Sequence, residues 1–165
     1  MSGRRILGAA ACSLLLVAPA LAVEDKNCQL RVSAIVATNS GRPEKELDEF
    51  HKRWRSLFHY SSYKLLKDET KNVKWRTRAG FDIPGGRYLV VSPRGPSEDG
   101  KLIMLKILVL EGSRPLADTV VTLKNEGSVV VAGPKHEEGI LLLSIGARTE
   151  TSGPWQTSPV NFGGN

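Results

Sequence analysis

The side chains able to do chemistry in this chain are few and scattered. There are three histidines, His51, His59 and His136, and two cysteines, Cys12 and Cys28. Lys135-His136-Glu137-Glu138 sets an imidazole beside two carboxylates. Such a pair supplies a general acid and a general base when it lines a cleft. Cys28 is the second candidate nucleophile. One reading is therefore a small secreted hydrolase using His136 with a carboxylate or Cys28. The competing reading is a solvated loop and a small buried apolar side chain. His51 and His59 are eight residues apart, and on a helix that spacing leaves them ~80° out of line. Neither has a Cys or His at ligand spacing, so no metal site of three or four converging ligands is expected. The chain has no Gly-x-Ser-x-Gly elbow, and its glycines fall one or two at a time in turns, without a phosphate-binding or dinucleotide pattern. No cofactor is expected.

Cationic side chains give the stronger signal. Lys74, Arg76 and Arg78 alternate with Val73, Trp75 and Thr77, which on a strand projects all three from one face. Lys71 extends the set. Lys52, Arg53 and Arg55 surround Trp54. Should these two elements adjoin, Lys52, Arg53, Arg55, Lys74, Arg76 and Arg78 form a basic patch. It would suit anionic lipid, polysaccharide or the acidic face of an envelope protein. The alternative is a solvated strand face that blunts an edge against aggregation. Nucleic acid is not expected, for want of a platform of stacking aromatics.

These residues need elements to hold them. Leu30–Thr38 has the two-residue period of a half-buried strand. Glu44–Phe58 reads as a helix, with Leu47, Phe50, Trp54, Leu57 and Phe58 on one stripe. Its acidic residues come early and its basic residues late, as the helix dipole favours. Further strands are expected over Ser62–Leu66, Val73–Ala79, Arg87–Ser92, Leu102–Leu110, Asp118–Lys124, Ser128–Ala132 and Ile140–Ala147. Leu102–Leu110 is nearly all apolar, which predicts a central strand covered on both faces. Asn125-Glu126-Gly127 predicts a hairpin pairing Asp118–Lys124 with Ser128–Ala132. The short Gly/Pro connections imply antiparallel neighbours. The expected fold class is α+β: an antiparallel curved sheet or small β-sandwich with one amphipathic helix packed on it.

The N-terminus carries an address. Arg4-Arg5, the apolar run Ile6–Val17 and Pro19-Ala20-Leu21-Ala22 have the layout of a secretory signal peptide. The run is too short for a bilayer, which needs roughly 20 apolar residues. Cleavage after Ala22 removes 22 of 165 residues and lowers the formal net charge from +6 to +4. The expected organisation is residues 1–22 as signal peptide, 23–148 as a single β-rich domain and 149–165 as a C-terminal tail. No transmembrane span is expected in the mature chain. Cys28 is then its only cysteine, so the fold relies on its core and not on an internal disulfide. With no Asn-x-Ser/Thr sequon, a secreted or periplasmic bacterial protein is expected.

Tyr60-Ser61-Ser62-Tyr63-Lys64-Leu65-Leu66 after an amphipathic segment, Pro84-Gly85-Gly86, and Ala132-Gly133-Pro134 leading to Gly139 carry a resemblance. Over Leu30–Ala147 the chain is similar to a group of small secreted bacterial proteins of uncharacterised function. The resemblance implies a shared fold and export, and no transferable functional site. The leading expectation is an exported, non-enzymatic envelope module that binds a protein or surface component through a β-rich domain. The alternatives are the hydrolase above and electrostatic docking to anionic lipid or polysaccharide.

Overall fold

The computed structural model describes residues 27–42, 52, 54 and 57–150. Eight strands follow one another: β1 (Asn27–Thr38), β2 (Ser62–Lys74), β3 (Ala79–Ile83), β4 (Arg87–Pro96), β5 (Leu102–Glu111), β6 (Arg114–Lys124), β7 (Ser128–His136) and β8 (Gly139–Thr149). They build two four-stranded antiparallel sheets, ordered β2-β1-β8-β7 and β3-β4-β5-β6. Followed around the perimeter, the strands run in chain order, as in an up-and-down barrel. Among the described residues no ladder joins β2 to β3 or β6 to β7. The barrel is thus split into a sandwich with two lateral seams.

Alternation explains most of the packing. Cys28, Leu30, Val32 and Ala34 of β1 face Phe81, Leu89, Val91, Ile103, Leu105 and Ile107 of the opposite sheet within one core. Each fully buried aliphatic or aromatic side chain contributes about 1.5–3 kcal/mol before ordering costs are set against it. On β5 the alternation is strict. Ile103, Leu105 and Ile107 are fully buried while Leu102 and Met104 on the other face are exposed. The expectation that this strand is covered on both faces is therefore corrected. A meander of antiparallel strands has no crossover helix to lay on its outer side.

The expected α+β class is corrected too. The described residues are almost wholly β, and they contain no helix element. Two facing sheets cover each other's apolar sides, so the main core needs no helix to close it. Most of the expected helix, Glu44–Phe58, falls outside the described residues. Trp54 and Phe58 are described; they stack at 5.2 Å and pack on Ile35, Ala37, Tyr63 and Leu142, on the outer side of the first sheet. Leu57, placed on the same stripe by its spacing, is 65% exposed.

Two connections differ from expectation. Val73–Ala79 is not one strand: Val73 and Lys74 end β2, Trp75–Arg78 form the bend between sheets, and Ala79 begins β3. Arg76 takes a positive φ of 65°, its N–H donating to the Pro93 carbonyl at 2.6 Å, and Thr77 N–H closes the turn on the Lys74 carbonyl. Asn125–Gly127 likewise bridges the sheets. Asn125 N–H donates to Lys101 beside β5, while Glu126 N–H donates to Ala147 of β8 and Ala147 N–H to Gly127. The strands it links, β6 and β7, pair with β5 and β8 and not with each other.

Candidate functional site

The two seams are the places where this fold departs from a closed barrel, and they are built differently. At the β2/β3 seam the inner face of β2 carries Lys67, Glu69 and Lys71, opposite Ala34, Val32 and Leu30 of β1. These side chains reach across to the edge of β3. Lys67 Nζ donates to the Asp82 carbonyl at 2.9 Å, and Lys71 Nζ to the Gly80 carbonyl at 2.5 Å. Lys71 also lies 4.6 Å above the Phe81 ring. Glu69 sits between the lysines at 3.0 and 2.9 Å. Its hydrogen bonds to Lys71 and then Lys67 hold its carboxyl below the usual carboxylate range. Two edge carbonyls that would otherwise accept a foreign strand are capped by side chains of the chain itself.

The β6/β7 seam is open. Its two strands diverge from the Asn125–Gly127 turn and leave between them an apolar cavity of about 270 Å³. Val109, Leu116 and Ala117 line it from one sheet, and Val131, Pro134 and Leu143 from the other. Val109 and Leu143 are core residues, 3% and 0% exposed, so the cavity reaches the floor of the sandwich. β7 shifts register against β8 between Ala132 and Lys135, a bulge that bends the strand locally. A Cβ on Gly133 would lie 2.8 Å from the Leu141 carbonyl, so the bend depends on close backbone approach. The volume falls just under the 300–1,000 Å³ typical of small-molecule pockets. It suits one or two apolar side chains delivered by an extended backbone.

The basic residues singled out from sequence are not gathered at either opening. Lys74, Arg76 and Arg78 are exposed around the β2–β3 bend, at the end of β1 marked by Asn27. Lys52 is exposed, and its neighbour Trp54 packs on Ile35, Ala37 and Tyr63, toward the end where Thr38 faces Ser62. Over the length of β2, at a rise of ~3.3 Å per residue, the two ends of the strand are roughly 40 Å apart. Arg53 and Arg55 lie outside the described residues.

The hydrolase residues are equally dispersed. Cys28 is fully buried in the core between the sheets, and burial pushes its thiol up to about 12. A thiol so placed stays protonated and sheltered. It pairs with Thr149, whereas His136 pairs with Gly139 at the other end of β8. Ten residues of strand place them roughly 33 Å apart. Glu137 and Glu138 are exposed in the β7–β8 turn, and Ser40 Oγ donates to Glu138 Oε2 at 3.4 Å. His51 lies outside the described residues, and His59 is exposed beside the Trp54–Phe58 contact. Among the described residues no three His, Cys, Asp or Glu side chains converge as a metal site. No helix among them is long and apolar enough to cross a membrane.

Sequence reasoning missed the seam because its residues, Val109, Leu116, Ala117 and Val131, are ordinary strand residues. The one local signal is Gly133-Pro134, a pair that breaks a strand and leaves its edge bent. No family model, curated protein or solved structure matches this chain.

Proposed function

We propose that this protein is an exported binding module that captures an extended segment of a protein partner as an added strand at the β6/β7 seam. The observation that carries the reading is the asymmetry of the seams. One is closed by Lys67 and Lys71 on the β3 carbonyls; the other joins two ladder-free edges across an apolar cavity. Strand addition takes its affinity from main-chain hydrogen bonds and its specificity from pockets for alternate side chains. The cavity supplies one such pocket, and its Val109, Leu143 and Val131 lining selects an aliphatic or aromatic side chain. Catalysis by Cys28 or His136 has no support in their positions.

The test is selection of a displayed library of extended peptides against the purified protein, followed by amide exchange on the complex. Enriched peptides should alternate apolar with polar residues and slow exchange in β6 and β7. Ala117→Phe, which fills the cavity, should weaken them by about tenfold or more. Protection confined to β3, or binding indifferent to Ala117→Phe, would refute the assignment.

A further inference from the structure

The outer face of the β3-β4-β5-β6 sheet is unusually apolar for a surface in water. Tyr88 (42% exposed), Leu102 (42%), Met104 (46%) and Val120 (55%) stand on it. Val90, Leu108 and Leu110 are half-buried between them. The register makes the patch continuous: Tyr88 faces Leu110, Val90 faces Leu108, and Met104 and Lys106 face Thr122 and Val120. A contiguous apolar surface of this kind marks an interaction site. Its charges are balanced. Lys106 Nζ lies 3.3 Å from Asp118 Oδ1 on the adjacent strand, near the middle of the face, and Asp82 and Lys124 stand toward its margins.

We infer that this face packs on the same face of a second copy of the chain. Two features choose that occupant. The first is self-complementarity. In a two-fold arrangement the same patch serves both subunits, so Lys106 of each copy can meet Asp118 of the other while the apolar rows cover one another. A balanced face has no excess positive charge to draw it to an anionic bilayer. The second is size. Strands of 5, 10, 10 and 11 residues, ~4.8 Å apart and rising ~3.3 Å per residue, present roughly 570 Å². Two copies would bury roughly 1,100 Å² in total, in the range of small, transient interfaces. The dimer is therefore weak and concentration-dependent, and it leaves the β6/β7 seam of each copy free.

Sedimentation equilibrium across micromolar to millimolar protein tests this directly. A monomer–dimer equilibrium is expected, and Met104→Glu with Val120→Glu should weaken it by about tenfold or more, because each carboxylate would be buried unpaired. These residues are exposed in the monomer, so the variant keeps its circular dichroism and unfolding midpoint. Charge exchange supplies a second, independent readout. Lys106→Glu alone and Asp118→Lys alone should each disfavour the homodimer by placing like charges across the axis. Mixing the two variants should restore association as a heterodimer. A protein that stays monomeric at millimolar concentration overturns the inference. So does a dimer indifferent to Met104→Glu/Val120→Glu, or a monomer that floats with neutral phospholipid vesicles through this face.

Discussion

Removing the lysine caps should open the seam that is now closed. Lys71 makes three contacts that alanine cannot: the 2.5 Å bond to the Gly80 carbonyl, the 2.9 Å pairing with Glu69, and the position 4.6 Å above Phe81. A hydrogen bond from a charged donor contributes about 1.5–3 kcal/mol when shielded. The Lys71 side chain is 39% exposed, so the lower end applies. The exposed ion pair adds about 0.2–1 kcal/mol, and the ring contact about 0.5–1 kcal/mol. Lys71→Ala is thus expected to cost about 2 kcal/mol. Lys67→Ala loses the Asp82 bond and the other half of the Glu69 pairing, and should cost about 1.5 kcal/mol. The double variant should match or exceed the sum, because the lysines bond different Glu69 oxygens and losing one relieves repulsion on the other. Urea denaturation gives the magnitude through the midpoint at constant slope, and amide exchange gives the place. Faster exchange should appear first in β3, whose edge carbonyls lose their caps. A double-variant cost below about 0.5 kcal/mol, with β3 exchange unchanged, would show that the lysines are ornaments of a seam held by other forces.

Other expectations are simpler. Cys28 has a folded pKa raised to about 12 from 9.0. Its stabilising contribution is complete below pH 9 and is lost as pH rises toward 12, since the unfolded chain ionises first. The wild type should therefore lose more stability across that window than Cys28→Ala does, and its thiol should react with a disulfide reagent only at the rate of unfolding. Arg76 holds φ at 65°, so Arg76→Gly should raise stability by up to about 1 kcal/mol in thermal unfolding. A Cβ on Gly139 would collide with the Ala37 carbonyl. Gly139→Ala should therefore cost about 1–3 kcal/mol in the same assay. Glu69 is held ionised by its lysines. Its contribution is present at neutral pH and is lost as pH falls below the carboxylate range, a loss Glu69→Gln should lack.

What the residues determine alone is the strand-rich body and its antiparallel order. Alternation in Leu30–Ala34, and the apolar run Leu102–Leu110 between turn-forming glycines, needed no neighbour to be recognised. Polar strands were hidden. Lys67-Asp68-Glu69-Thr70-Lys71-Asn72 lies between two of the expected strands and is assigned to neither. It is the extended middle of β2 because Arg31, Ser33 and Gln29 on β1 pair with its outer face and the β3 edge accepts its inner one. The β1 partners lie 35 or more residues away, and no local window contains them. Sheet assignment was hidden for the same reason. Asn125-Glu126-Gly127 carries hairpin chemistry, yet Lys101 and Ala147 claim its backbone groups and send β6 and β7 into different sheets. The seams exist only once eight strands are wrapped around one core, because an edge is a property of what is absent beside a strand. Residue order set which side chains point together; closure of the sandwich decided which edges were capped, which was left open, and which apolar face was left exposed.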